Sequence, residues 1–172
     1  RVINLFVEHA RQMIEAYKPK SPANMLLLRG LDRYPCFPLF SELFGLRSAA
    51  IAVYPTYRGI AKLVGMEVLP VEGGLTSDEF AALEKYWNDF DFFYLHIKET
   101  DLAGEDGDFA RKVKIIEDVD KLIPRLMILQ PDVVIVSGDH STPALFKGHS
   151  WHPVPTLIYG KYVRADNIPE FG

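Results

Sequence analysis

Short apolar runs, most of them closed by glycine, alternate with amphipathic segments along this chain. That alternation restricts the fold more than any single motif. In "RVINLFVEHARQMIEAY", Val2, Leu5, Phe6, His9, Met13 and Ile14 fall mostly on one helical face, which predicts a helix over 1–17. "NMLLLRG", closed by Gly30, predicts a buried strand, and "FPLFSELFG" a helix ended by Gly45. "SAAIAVY" predicts a strand, "YRGIAKLVG" a short helix ended by Gly65, and "MEVLPVEG" a strand running into a turn. Beyond "GGLTSDEF", Thr76-Ser77-Asp78-Glu79 carries a capping-box signature that opens a helix through about Asn88. "FDFFYLHI" predicts a buried strand. Asp108 is placed to cap a helix with Phe109, Val113, Ile116, Val119 and Ile123 on one stripe, which Pro124 should kink or end. "PDVVIVSG" is apolar throughout, as strands of parallel sheets are, and "PTLIYG" is a last short strand. The pattern predicts an α/β fold: a parallel or mixed sheet with helices on its faces.

With 172 residues, 48% hydrophobic and 24% charged, the chain can bury a core of one domain or somewhat more. A formal net charge of −4, with no basic run or stripe, argues against a nucleic-acid partner. No apolar stretch approaches the ~18 residues of a membrane span, and no signal peptide is evident, so a cytoplasmic protein is expected. The single Cys36 excludes an internal disulfide, fits a reducing compartment, and is expected to be buried. The opening residues lack a start methionine and a helix cap, and "NIPEFG" ends without a helix or charged tail. Both suggest a fragment.

In open α/β sheets ligands bind at the carboxyl ends of strands. Two such ends carry dense polar residues. One brings His96, Lys98, Glu99, Thr100, Asp101, Glu105, Asp106 and Asp108, and the other Asp139, His140, Ser141 and Thr142, followed by His149 and His152. Oxygen and imidazole donors together suit Mn²⁺, Zn²⁺, Fe²⁺ or Mg²⁺. Gly138 permits a sharp turn after which Asp139 and His140 diverge, to serve two metals or to orient the shell of one. Other readings stay open: Asp101 as a helix cap, "GEDGD" as a solvated acidic turn, His152 as structural. His9, on the first helix, is not expected to be a ligand.

"HIKETDLAGEDGDF" and "SGDHSTPALFKGHSWHPVP" resemble the archaeal-type 2,3-bisphosphoglycerate-independent phosphoglycerate mutases, metalloenzymes of the alkaline-phosphatase superfamily whose members are sometimes labelled phosphonopyruvate decarboxylase. "LLLRG", "RGIAKLVGMEV" and "RKVKIIEDVD" sit in the family's order. The resemblance implies an isomerase of glycolysis, interconverting 3-phosphoglycerate and 2-phosphoglycerate through a phosphoserine. It implies two divalent metals, commonly Mn²⁺, with Mg²⁺, Zn²⁺ or Co²⁺ as alternatives. Asp139 and His140 match ligands of the metal that carries the serine, and Asp101 and His149 match ligands of the second. Arg29, with Arg33 beside it, matches a substrate-gripping arginine, and Lys98 reads equally as a substrate contact or a solvated lysine. Residues 1–74 correspond to part of an inserted substrate-closing α/β domain, and 75–172 to the C-terminal part of the metal-binding core.

Three departures from the family pattern follow. Glu105 stands where a histidine is usual, and Arg58 where a lysine is usual in "YRGIAKL"; both remain candidates, for metal and substrate respectively. The segment with the nucleophilic serine lies outside these residues, so this chain alone is expected to be inactive. Ser137, Ser141 and Thr142 read as turn residues and outer partners of the metal loop. A related phosphomonoester or phosphonate hydrolase, or a non-catalytic α/β binding module, are the alternatives.

Overall fold

Ser48–Ala52 (β1) consists of small residues and one isoleucine, and it is buried along its whole length. Small side chains let helices approach both faces of a central strand closely. In the computed structural model, which describes residues 1–17, 22–30, 33, 36–166 and 168, β1 lies between Glu67–Val68 (β2) and Phe92–His96 (β3). Both pairings are parallel, with Ala49 opposite Glu67 and Phe93. Parallel neighbours need crossovers. β1 reaches β2 through Pro55–Leu63 (α1), and β2 reaches β3 through Thr76–Tyr86 (α2). Arg47 and Asp91 clip the β1–β3 register from below: the Asp91 carboxylate accepts from the Arg47 backbone and guanidinium, and the Asp91 N–H donates to the Arg47 carbonyl.

Ala49, Ile51, Leu69, Ala82 and Leu83 form the core, with Trp87, Phe93, Leu126 and Leu129 packed around it. The α2 helix begins one residue earlier than its Thr-Ser signature suggests: Leu75 is the cap, and its N–H donates to Asp78 at 2.9 Å. That shift turns Glu79 into the core, where it is 2% exposed. As expected, Asp108 caps the helix Phe109–Asp120 (α3), accepting from the Arg111 N–H at 2.9 Å. The following helix, Ile123–Ile128 (α4), restarts with Pro124 in its first turn, where a missing N–H costs nothing. A two-toothed contact from Arg125 to Glu84, both at 2.7 Å, ties α4 to α2.

Val133–Val136 (β4) departs from expectation. It pairs antiparallel with Leu157–Gly160 (β5), in a separate two-stranded sheet. Val133 and Ile135 are 56% and 60% exposed, so their face is uncovered among the described residues. An apolar run records that a strand is suited to burial, not which way its neighbour runs.

The chain divides into two compact units, Arg1–Cys36 and Phe37–Gly172. The boundary expected at residue 74 falls inside the second, since β1 and β2 share a sheet with β3. The first unit holds the expected N-terminal helix, Val2–Tyr17, none of it buried. "NMLLLRG" is not a strand there: it has no hydrogen-bonded neighbour among the described strands, and an apolar run without one cannot satisfy its backbone groups as sheet. Cys36, expected inside, is exposed; it belongs to the first unit, whose helix buries none of its residues. In the second unit, Phe40–Phe44 is the helix expected before Gly45, whose φ of 67° is the left-handed stop.

Candidate metal centre

The polar residues after β3 are carried by regular structure. Glu99–Glu105 is a helix (α5), so Asp101 and Glu105, four apart, share one face. The helix can lie flush against the segment after β4 because Gly104 faces Thr142. A Cβ on Gly104 would stand 2.2 Å from the Thr142 carbonyl oxygen. Lys112 of α3 donates to that same oxygen at 2.7 Å.

Opposite α5, the chain leaves β4 through Gly138, presents Asp139 and His140, and returns in a loop closed by an antiparallel bridge between Ser141 and Ser150. The Ser150 N–H donates to the Ser141 carbonyl at 2.9 Å. This closure brings His149 beside His140, ring centroids 3.9 Å apart. One ligand atom each from Asp101, His140 and His149 lies within 4.8 Å of the others. His149 Nε2 is 3.6 Å from both Asp101 Oδ1 and Glu105 Oε1, and His140 Nε2 is 3.5 Å from Asp139 Oδ2.

The five candidate ligands therefore form one chain of neighbours: Asp139, His140, Asp101, His149, Glu105. The pairs that the resemblance implies, Asp139 with His140 and Asp101 with His149, adjoin through His140, which groups with Asp101 and His149. Three carboxylates and two imidazoles converging without a matching number of cations are a donor set that fits divalent metal.

Asp101 is the most enclosed of the set, its side chain 12% exposed. Burial opposes its ionisation, but hydrogen bonds from Lys98 and Thr142, with the charges of Lys98 and His140, outweigh burial and hold the carboxyl below its usual range. Lys98 pairs with Asp101 Oδ2, and Thr142 Oγ1 donates to Oδ1 at 2.5 Å. Thr142 Oγ1 also sits 3.0 Å from His140 Nδ1, so one hydroxyl links two candidate ligands. Asp139 is lowered in the same sense: burial opposes, and the Tyr57 hydroxyl and His140 prevail.

Of the substrate candidates, Lys98 touches the centre through Asp101. Arg58 lines a depression of about 250 Å³ past the carboxyl ends of β1 and β2, with Ala52, Val53, Leu69 and Gly73. Arg29 and Arg33 belong to the first unit, and both are exposed. His152, for which a structural role was open, stacks on Trp151 and Phe146, and its Nδ1 meets Ser150 Oγ at 2.9 Å. Sequence reasoning passed over Tyr57, Gly104 and Lys112. Tyr57 alone had a signal, its place just beyond the end of β1.

A parallel sheet with an acid and imidazole cluster beyond its strands defines a metal-binding α/β protein. The chain belongs to the metalloenzyme superfamily, whose family model matches residues 9–171. It is 52% identical over 157 residues, 91% of its length, to a Thermotoga neapolitana protein named a probable 2,3-bisphosphoglycerate-independent phosphoglycerate mutase. It is 48% identical over 173 residues to a Thermus thermophilus protein of the same name, covering 99% of this chain. It spans about two-fifths of those relatives, 39% and 42% of their lengths. Among solved structures, the PH0037 protein from Pyrococcus horikoshii matches 99% of this chain and 50% of its own, with TM-score 0.85 and 31% identity. The cofactor-independent phosphoglycerate mutase from Thermoplasma acidophilum, at TM-score 0.66 and 24% identity over 99% of this chain and 44% of that one, shares the fold. Superfamily membership implies use of a divalent metal. No described helix is long and apolar enough to cross a membrane.

Proposed function

We propose that this chain is the part of a cofactor-independent phosphoglycerate mutase that holds most of its metal ligands. The observation that carries the reading is the convergence of Asp101, His140 and His149. The names of relatives near 50% identity agree with it. On this reading Asp139, His140, Asp101, His149 and Glu105 hold two divalent ions, Mn²⁺ first. When bound, such ions neutralise charge on a transferring phosphoryl group and lower the pKa of the attacking hydroxyl.

The chain's own residues then have distinct tasks. Thr142 orients Asp101, and the Lys98 ammonium neutralises it on the oxygen, Oδ2, that an ion would take over. Lys98 and Arg58 supply cationic contacts for phosphate or carboxylate, and Arg29 and Arg33, in the first unit, are further cations suited to those groups. Of the serines near the centre, Ser137 Oγ meets Thr156 Oγ1 at 2.9 Å and Ser141 Oγ donates to the His152 carbonyl at 2.9 Å, as turn residues do. The resemblance assigns the nucleophile to residues outside this chain, and a glycolytic role would place the protein in the cytoplasm.

The test incubates the full-length polypeptide carrying this segment with 3-phosphoglycerate and Mn²⁺ and follows 2-phosphoglycerate. Conversion is expected there and not with residues 1–172 alone. No conversion with Mn²⁺, Mg²⁺, Co²⁺ or Zn²⁺ would sink the mutase reading. Glu105 beside His149 favours a second one, a hydrolase, which release of inorganic phosphate without isomerisation would identify.

A further inference from the structure

Tyr57 lies on α1, in the residues that follow β1, and its hydroxyl donates to Asp139 Oδ2, 82 residues away in sequence. Its ring stacks on His96, the last residue of β3, with centroids 3.5 Å apart and planes inclined by 23°. The other oxygen of Asp139, Oδ1, accepts from the His140 N–H at 3.1 Å. Asp139 is thus held from two sides: by its own turn, and by a phenol whose ring is clamped against the sheet.

The clamp has a chemical consequence. An ionised carboxylate has about four lone-pair sites on two oxygens. A phenol on Oδ2 and a backbone N–H on Oδ1 occupy one site on each. They leave one site free on each oxygen and fix the plane of the group, so the free sites are aimed before an ion arrives. Ca²⁺ takes about 6–8 ligands in flexible geometry, whereas a smaller ion such as Mg²⁺ demands a near-ideal arrangement, so a pre-aimed ligand helps small ions more.

We propose that Tyr57 is a positioning residue that aims the Asp139 carboxylate before an ion binds and so biases the centre toward small divalent cations over Ca²⁺. The inference rests on the metal centre proposed above. Tyr57 is well placed for the role because it does not depend on the loop it orients: it is anchored on α1 and on His96, both carried by the β2-β1-β3 sheet. Arg58, the next residue on the same helix, lines the depression beyond β1 and β2, so one helix would set both an ion's ligand and a substrate contact.

Tyr57→Phe deletes the hydroxyl and keeps the ring on His96. Calorimetric titration of Mn²⁺ and of Ca²⁺ into the full-length polypeptide, wild type and Y57F, reads the effect, and thermal melts show whether both forms are equally folded. The expected result is an unchanged melt, a Mn²⁺ affinity weakened about 10–100-fold, the range for loss of a ligand's orienting partner, and a Ca²⁺ affinity that falls much less. Equal Mn²⁺ affinity in the two forms, or equal loss for both ions, overturns the inference while leaving the metal centre intact. Wild-type protein that binds neither ion overturns the centre and the inference with it.

Discussion

Gly104 and Thr142 make the closest approach between α5 and the segment after β4: a methyl group on Gly104 would lie 2.2 Å from the Thr142 carbonyl oxygen. The obstruction is backbone and cannot rotate away. Gly104→Ala should push α5 off that segment, at about 1–3 kcal/mol for an overpacked buried site. Because α5 carries Asp101 and Glu105, the displacement should also separate ligands. The expected outcome is a lower melting temperature together with weaker Mn²⁺ binding. A variant that melts lower yet binds Mn²⁺ as wild type does would show that α5 is not what holds Asp101 in place.

Asp101 and Lys98 should respond in opposite directions. Asp101→Asn keeps the shape but removes the charge that faces His140, His149 and Lys98. Its Mn²⁺ affinity should fall by more than the roughly 10–100-fold typical of losing an outer partner. Lys98→Met removes the ammonium that competes for Asp101 Oδ2. Its Mn²⁺ affinity should hold or rise, while affinity for a phosphoglycerate falls. Calorimetry with each ligand separates the two effects, and a Lys98→Met variant that binds metal worse contradicts the competition.

What the sequence disclosed depended on whether the relevant partners were near in the chain. Asp139 and His140 could be singled out as candidates because an apolar strand ending in glycine, then a carboxylate and an imidazole, is a local pattern. The cap at Asp108 and the left-handed stop at Gly45 were legible for the same reason. The β4–β5 direction was not legible, since it depends on a neighbour across the sheet. The helix over "ETDLAGE" was not legible because Gly and Asp are poor helix formers, yet Gly104 packs on Thr142 there. Tyr57 had a signal in its place just beyond β1, but its tie to Asp139 did not, because that partner lies 82 residues away and no local pattern joins them.

Glu105 offers a test of metal preference. It is 3.6 Å from His149 Nε2, at a place where the resembled family usually has histidine. A carboxylate favours harder ions such as Mg²⁺ and Mn²⁺, and an imidazole suits Zn²⁺. Glu105→His should therefore move competitive binding toward Zn²⁺, read by titrating Zn²⁺ against bound Mn²⁺ in both forms. If the ratio of affinities is unchanged, Glu105 is not a ligand.

Glu79 carries a pH dependence separate from the metal centre. It is buried in α2, and its Oε2 has no hydrogen-bond partner among the described residues. Burial first, and the nearby Glu99 second, push its pKa up to about 8 from an ordinary 4.5. Between those values the folded chain keeps a proton on Glu79 that the unfolded chain has released. Stability from this group is thus fully present below the lower value, declines as pH rises through the window, and is gone above the upper one. Glu79→Gln mimics the protonated form at every pH and removes that slope. Its melting temperature should match wild type at about pH 5 and exceed it at about pH 9, by about 2–4 °C for each kcal/mol lost in a chain of this size. Thermal melts across that range decide it: parallel curves for the two proteins would mean that Glu79 is charged in the fold at neutral pH and has found a partner.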